Sequence, residues 1–284
     1  MSVIAVHDGA LSLLGEELRK VPAFLRRDFL TALSYRMALV TDWLAMIGGA
    51  FIFYFIGRLV DPQTLPSYGG TRSGYLEYAL IGMALSTFIA TALSHAGIAI
   101  NREQLMGTLE SVLLTPTAPA TFQIGSVIYD LLYIPIRTAL FVLVIAVAFG
   151  LHLEPQGIPA AALLLFAFIP FVWGLGTATT AMVLTFRRGS GGMNFGVTLL
   201  TLGSGAFFPL TLLPDWIANI AEYNPMALAI EGIRKALLGG EGLATLGGDV
   251  LLILPLSAAS VVGGALAFRA ALRREQRRGT LGLY

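Results

Sequence analysis

The stretch PQGIPAAALLLFAFIPFVWGLGTATTAMVLTF, residues 155–186, contains no Asp, Glu, Lys or Arg. A helix crosses a bilayer with roughly 20 consecutive apolar residues, so this run is long enough with turns to spare. Three more runs are free of charged residues: Tyr78–Asn101 with His95 near its end, Gly189–Pro214 and Val250–Phe268. Two others are nearly so. Met37–Ile56 carries Asp42 near its start, and Thr121–Gly150 carries Asp130 and Arg137. The sequence therefore predicts an all-α polytopic membrane protein with six transmembrane helices, at about 37–59, 77–100, 122–150, 159–186, 194–213 and 249–270.

The composition agrees. Of 284 residues, 56% are hydrophobic and only 12% charged, with a mean hydropathy of +0.77. That charged share is about half that of a soluble domain. A soluble enzyme, a disordered chain and a basic nucleic-acid binder are all excluded, so no nucleic acid is expected as a partner. There is no cysteine, hence no disulfide framework, thiolate metal site or cysteine nucleophile. The first apolar run, Ala10–Leu14, is short and is followed by Glu16, Glu17, Arg19 and Lys20. This is not a cleavable signal peptide, and the N-terminus is expected to be retained.

The net charge of +1 says little, but its distribution sets an orientation. Arg19, Lys20, Arg26, Arg27, Arg36, Arg102, Arg187, Arg188 and the five arginines of 269–278 fall on one side of a six-span arrangement. Arg58, Arg72, Arg234 and Lys235 fall on the other. Thirteen against four puts both termini in the cytoplasm by the positive-inside rule. The expected setting is multi-pass in the plasma (inner) membrane.

The connections divide the chain into a cytoplasmic N-terminus (1–36), a membrane domain (37–272) and a basic cytoplasmic tail (273–284). In the first, Leu25, Phe29, Ala32 and Leu33 recur at helical spacing, with Arg26, Arg27 and Asp28 between them and Pro22 at the start. This reads as an interfacial helix, with Phe29 in the headgroups and Arg26 and Arg27 toward lipid phosphate. The alternative is an ordinary basic flank of the first span. Asp61–Ser73 is a turn-rich outer loop. Leu151–Ile158 is short, so spans three and four are expected to be antiparallel neighbours. Asp215–Gly248 is the longest outer connection. It is read as two short helices, about 215–240, broken at Tyr223-Asn224-Pro225 and ended by Gly239 and Gly240. Backbone at such a break must be covered by protein if it lies at membrane depth.

Residues 101–115 differ from a plain connector. Leu105, Leu109, Val112 and Leu113 share one helical face, Glu103 and Glu110 lie two turns apart, and Thr115-Pro116 stops the helix. A short amphipathic helix on the cytoplasmic side fits this pattern; an extension of the second span is the alternative.

The usual nucleotide and catalytic motifs are absent. A P-loop requires a Gly-Lys pair, whereas Arg19 and Arg234 precede the two lysines, Lys20 and Lys235. His7, His95 and His152 are scattered, so no metal site is expected. Ionisable residues inside spans are functional candidates. Asp130 and Arg137 lie seven residues, roughly 10 Å, apart on one helix face. They suit a shared polar cavity or partners on other helices. Alternatively, both sit at a helix end with Arg137 snorkelling. His95 reads as a helix-end hydrogen-bonding residue. Phe51, Phe53, Tyr54 and Phe55 crowd the outer half of the first span, and Phe207 and Phe208 precede Pro209. Phe51, Tyr54, Phe55, Asp130, Arg137, Phe207 and Phe208 form the candidate substrate path or gate. An interfacial belt and lipid-facing rings are the plainer account of the aromatics.

The segment Arg102-Glu103, Gly107-Thr108-Leu109-Glu110 and Leu113-Leu114-Thr115-Pro116 is similar to the E-x-x-x-G-T-L-E-x-L-x-x-T-P pattern of type-2 ABC transporter permease subunits. Asn224-Pro225 through Arg234 is similar to the N-P…R segment before that family's last span. The resemblance covers about residues 20–272. It implies that 101–115 is a coupling helix, with Arg102, Glu103, Gly107, Thr108, Leu109 and Glu110 meeting an ATPase. It also implies outer helices around Tyr223, Asn224 and Pro225 as part of an extracellular closure. The expected partners are two copies of an ABC ATPase and a second permease subunit, in a homodimer of like chains, together with membrane lipid. ATP and Mg belong to the ATPase, so this chain binds no cofactor and is not itself an enzyme. The expected activity is export of an amphipathic drug-like or lipid-like molecule. A lipid-linked polysaccharide is the alternative substrate. A stand-alone secondary transporter or channel is the alternative class, although 37–150 and 159–270 show no internal repeat.

Overall fold

A computed structural model describes residues 22–23, 25–61, 63, 65–72, 74–105, 119–186, 190–221 and 223–278. Helix α1 covers residues 25–34, and Tyr35 makes the turn into α2 (Arg36–Gly57). A two-stranded hairpin follows, β1 (Ser67–Tyr68) against β2 (Thr71–Arg72), paired Ser67 to Arg72 and Tyr68 to Thr71. Its turn residues Gly69 and Gly70 both have positive φ, 57° and 79°, the conformation tight hairpins require. The long helices come next: α3 (Tyr75–Leu105), α4 (Pro119–Phe149) and, after a 3₁₀ turn at Pro155–Gly157, α5 (Ile158–Phe186). Then come α6 (Ser190–Leu202), a 3₁₀ turn at Leu210–Leu212, α7 (Asp215–Ala221), α8 (Pro225–Gly239) and α9 (Leu243–Arg278).

Helix α3 is the central element. Most of its apolar span is buried, with Tyr78, Ile81 and Ile89 fully enclosed among Leu164 and Phe168 of α5 and Ile230 of α8. Helix α2 is peripheral and keeps most of its apolar surface uncovered, Phe51, Ile52 and Phe55 included. Helices α5 and α9 form the most extensive contact in the bundle. Small residues bring their backbones together. A Cβ on Gly174 would overlap Ser260, and one on Gly264 would overlap Thr177 and the Gly174 carbonyl. Ser257 and Ser260 donate across this seam to Ala167 O and Phe171 O, both at 2.9 Å. Lipid offers no hydrophobic drive between helices, so close approach and side-chain hydrogen bonds hold such pairs.

Helix α8 has matched ends. Asn224 caps it by accepting from Met226 N at 3.0 Å, Pro225 occupies its first turn, and Gly240 ends it at φ 68°.

Three features of the described residues differ from the expected layout. Among the described residues, five helices and not six are long and apolar enough to cross a membrane: α2, α3, α4, α5 and α9. The fifth expected span, 194–213, is not one helix. Helix α6 stops at Leu202, and its 13 residues reach only about 20 Å against a hydrocarbon core of about 30 Å. Gly203, Gly205 (φ 67°) and Pro209 divert the chain there. Second, α4 and α5 are joined by a short loop yet hardly touch; α4 packs on α3, and α5 on α3 and α9. Third, α9 begins before residue 249 and runs through the basic stretch to Arg278 as one 36-residue helix. No helix boundary separates span from tail at 272.

Candidate functional site

Two polar clusters stand inside the apolar bundle, one midway along α3 and α4 and one at the hairpin end. The first is built on α3 and α4. Thr91 and His95 are four residues apart on α3, and Asp130 and Arg137 seven apart on α4, so each pair shares a helix face. The helices run antiparallel, and the faces meet as two rungs. His95 Nδ1 and Asp130 Oδ1 are 2.8 Å apart, and Arg137 Nη2 donates to Thr91 Oγ1 at 3.0 Å. Arg137 Nη1 also reaches Asp42 of α2, so three helices are tied together. The Arg137 guanidinium lies 5.9 Å from the Tyr133 ring centroid. The Arg137 side chain is 2% exposed, in the middle of α4. Asp130 also walls a cavity of about 40 Å³ with Phe88, Ile134 and Trp173. Among the described residues, Trp173 Nε1 and Arg137 Nε are buried without a hydrogen-bond partner.

The second cluster holds the diverted chain after α6, at the hairpin end of the bundle. Residues 203–208 carry carbonyls that no helix satisfies. Arg234 of α8 is 1% exposed and donates to Gly205 O at 2.9 Å, Ala206 O at 2.8 Å and Tyr78 O at 3.1 Å. Its guanidinium stacks 3.5 Å from the Tyr78 ring centroid, and the Tyr78 hydroxyl donates to Gly205 O at 2.8 Å. Asn224 Nδ2 donates to Leu200 O and Gly203 O, at 2.9 and 3.1 Å, and Tyr75 donates to Phe207 O at 3.0 Å. Gly82 lets α3 approach this segment, since a Cβ there would overlap Ala206 O. Non-helical backbone within an apolar bundle is stable only with such cover. Above it, Tyr68 of the hairpin donates to Glu231 at 3.0 Å. Burial pushes the Tyr68 phenol well above its ordinary range, and the Glu231 charge adds to this.

The sequence-derived candidates fall at separate places. Phe51 packs edge-on against Phe149 at 5.3 Å, Tyr54 lies 5.0 Å from Phe149 and 5.5 Å from Phe55, and Phe55 is exposed. Arg58 donates to Tyr54 Oη at 2.7 Å. Phe207 stacks on Phe53 at 5.3 Å with the rings 2° from parallel, and Phe208 is half-buried. These aromatics lie at the hairpin end, about 18 Å along α4 from Arg137, so they do not form one set with Asp130 and Arg137. Tyr223 is exposed, whereas Pro225 is buried. Arg26 and Phe29 line a cleft beside α4, and Arg27 pairs with Asp28. Residues 101–105 continue α3. Gly107, Thr108, Leu109 and Glu110 lie outside the described residues, as do the side chains of Arg102 and Glu103.

The sequence alone missed Asp42 and Thr91 as partners of Arg137, and missed Arg234 as an anchor. Arg234 counts there as one more cation of an outer loop. Its signal was available in the Asn224-Pro225…Arg234 spacing, which places both residues that hold the diverted chain on one short helix.

The family model described as ABC-2 type transporter matches residues 19–238. The chain belongs to the ABC-2 type transporter family. Its match with "Putative transport permease ycf38" of Porphyra purpurea is 23% identical over 231 residues, covering 77% of this chain and 74% of that protein. In this ABC-2 type transporter chain the matched region contains both clusters, from Asp42 to Arg234, while α9 lies beyond it. The family's members are membrane components of transporters, which agrees with the apolar helices and their internal polar ties.

Proposed function

We propose that this chain is the permease subunit of an ATP-driven exporter that carries an amphipathic drug-like or lipid-like molecule between two like subunits. Two separate ABC ATPases, holding ATP and Mg, drive it. The single observation that carries this reading is the family match over residues 19–238, which spans the connection between α3 and α4. Helix α3 continues into that connection as far as Leu105, so a push on it acts directly on the two helices that carry the His95–Asp130 and Thr91–Arg137 rungs.

In this reading the hairpin end faces outward and both termini are cytoplasmic, in the plasma (inner) membrane. Helix α6 and the diverted 203–208 segment together make a sixth crossing, with α7 and α8 as outer helices. The few charged groups in the spans are already paired, which favours an amphipathic substrate over a small, strongly charged one.

The test is purification in mild detergent from native membranes, with mass spectrometry of associated chains and an ATPase assay. A stoichiometric P-loop ATPase, released or uncoupled by Glu110→Lys, is the expected result. A permease that purifies alone under several gentle conditions, or a Glu110→Lys complex with normal coupling, would overturn the reading.

A further inference from the structure

We propose that the cleft between α1 and α4 binds one anionic glycerophospholipid of the cytoplasmic leaflet, with its phosphate on Arg26 and an acyl chain lying along α4. The assignment of leaflet rests on the topology proposed above.

The cleft has a volume of about 570 Å³. One wall is the apolar face of α1, with Leu25, Phe29 and Leu33 at helical spacing. The other is a face of α4, with Leu132, Tyr133 and Ile136. An amphipathic helix buries its apolar face wherever it can. Here the two faces stand apart, and Phe29 and Leu33 remain 51% and 54% exposed. At the edge of a bilayer a hydrocarbon chain fills such a gap, because water there finds almost no polar partner.

Charge narrows the occupant further. The twin arginines of α1 are not equivalent. Arg27 pairs with Asp28, Nε to Oδ1 at 2.8 Å, and does not line the cleft. Arg26 does line it, is the one charged residue that does so, and has no carboxylate partner among the described residues. An apolar slot with a single cation at its edge matches a ligand with a long apolar body and one anionic end. A second copy of this chain would have to fill the slot with side chains and still bring an anion to Arg26. A phospholipid supplies both parts in one molecule. Its chain would also fix α1, and through Tyr35 the start of α2, against α4. Among the described residues, Asp42–Arg137 is the one ion pair between α2 and α4.

The test is native mass spectrometry of the full-length protein in neutral detergent, without ATP and without an ATPase partner. The probes are dioleoyl phosphatidylglycerol, dioleoyl phosphatidylcholine and glycerol 3-phosphate. One phosphatidylglycerol per chain is expected, retained about tenfold better than phosphatidylcholine, a margin that matches one charge-assisted contact. Arg26→Gln should erase the preference and Arg26→Lys should keep most of it, which separates lost charge from lost fold. Leu33→Trp, which fills the slot, should reduce retention of both lipids. Lipid adducts that grow without a plateau and ignore Arg26→Gln would overturn the proposal, leaving an ordinary lipid annulus. Equal binding of glycerol 3-phosphate would overturn it in favour of a free anion, and lipid displaced by dimer formation would assign the cleft to a second copy. Because no ATPase is present, these failures leave the exporter reading standing, and a missing ATPase partner leaves the lipid result standing.

Discussion

Arg137 and Asp42 form an ion pair between unequal partners: the guanidinium is 2% exposed and the carboxylate 53%. The cost of breaking the pair therefore depends on which side is removed. Asp42→Asn leaves a buried cation with only Thr91 as a strong partner. Breaking a buried pair in that way costs about 3 kcal/mol or more. Arg137→Met removes the buried charge and leaves a carboxylate that solvent or headgroups can reach, so about 1 kcal/mol is expected. Thermal unfolding in detergent should rank Asp42→Asn below Arg137→Met. The reverse order would mean that the fold depends on the Arg137–Thr91 rung more than on the ion pair.

Arg234 satisfies three carbonyls with one planar group, while its face rests on Tyr78. A lysine ammonium cannot span all three or stack in the same way. Arg234→Lys should therefore cost about 3 kcal/mol despite keeping the charge, because buried carbonyls at Gly205 and Ala206 lose their donors. Hydrogen exchange should speed up selectively at 203–208. Uniform acceleration over the whole chain would instead indicate general loss of packing.

Tyr68 gives a pH dependence with a definite sign. Its phenol is pushed up by burial and by Glu231, so the folded chain holds that proton more tightly than the unfolded chain does. The resulting stabilisation is fully present below the unfolded value of about 10 and declines only as pH rises above it. The Tm difference between the unmodified chain and Tyr68→Phe should stay constant from about pH 7 to pH 9.5 and shrink above that range. A difference that stays constant through about pH 11 would show that Tyr68 ionises alike in the folded and unfolded chains and that the Glu231 bond is not formed in solution.

Much of the fold could be read from the sequence because charge-free runs of membrane length leave few alternatives. Residues 155–186 and 250–268 became α5 and most of α9. The run at 189–214 was misleading for a physical reason. Its lack of charge reports apolar surroundings, not helical backbone, and here the surroundings are other parts of the protein. Arg234 and Asn224, both distant in sequence, supply the hydrogen bonds that let the backbone leave the helix at Leu202. The polar cluster was half legible. Asp130 and Arg137 stood out as charges in an apolar run, but their partners lie 35, 46 and 95 residues away and depend on how α2, α3 and α4 pack. Thr91 carries no signal of its own in a sequence.

Phe53 and Phe207 supply the last prediction. Their stacked rings bridge the peripheral helix α2 to the diverted segment after α6, next to Tyr75. The segment is held firmly from the α8 side by Arg234 and Asn224, whereas on the α2 side stacked rings make the contact. An aromatic pair of this kind contributes about 1 kcal/mol beyond burial, far less than the hydrogen bonds opposite. If the outer end opens during transport, it should part along the Phe53–Phe207 contact. The chain has no cysteine, so a Phe53→Cys, Phe207→Cys double variant can be crosslinked without background. Crosslinking with a reducible reagent should stop substrate movement in vesicles and leave association with the ATPase unchanged, and reduction should restore transport. Full transport by the crosslinked protein would show that α2 and the diverted segment move as one body, and the opening would then have to be sought elsewhere.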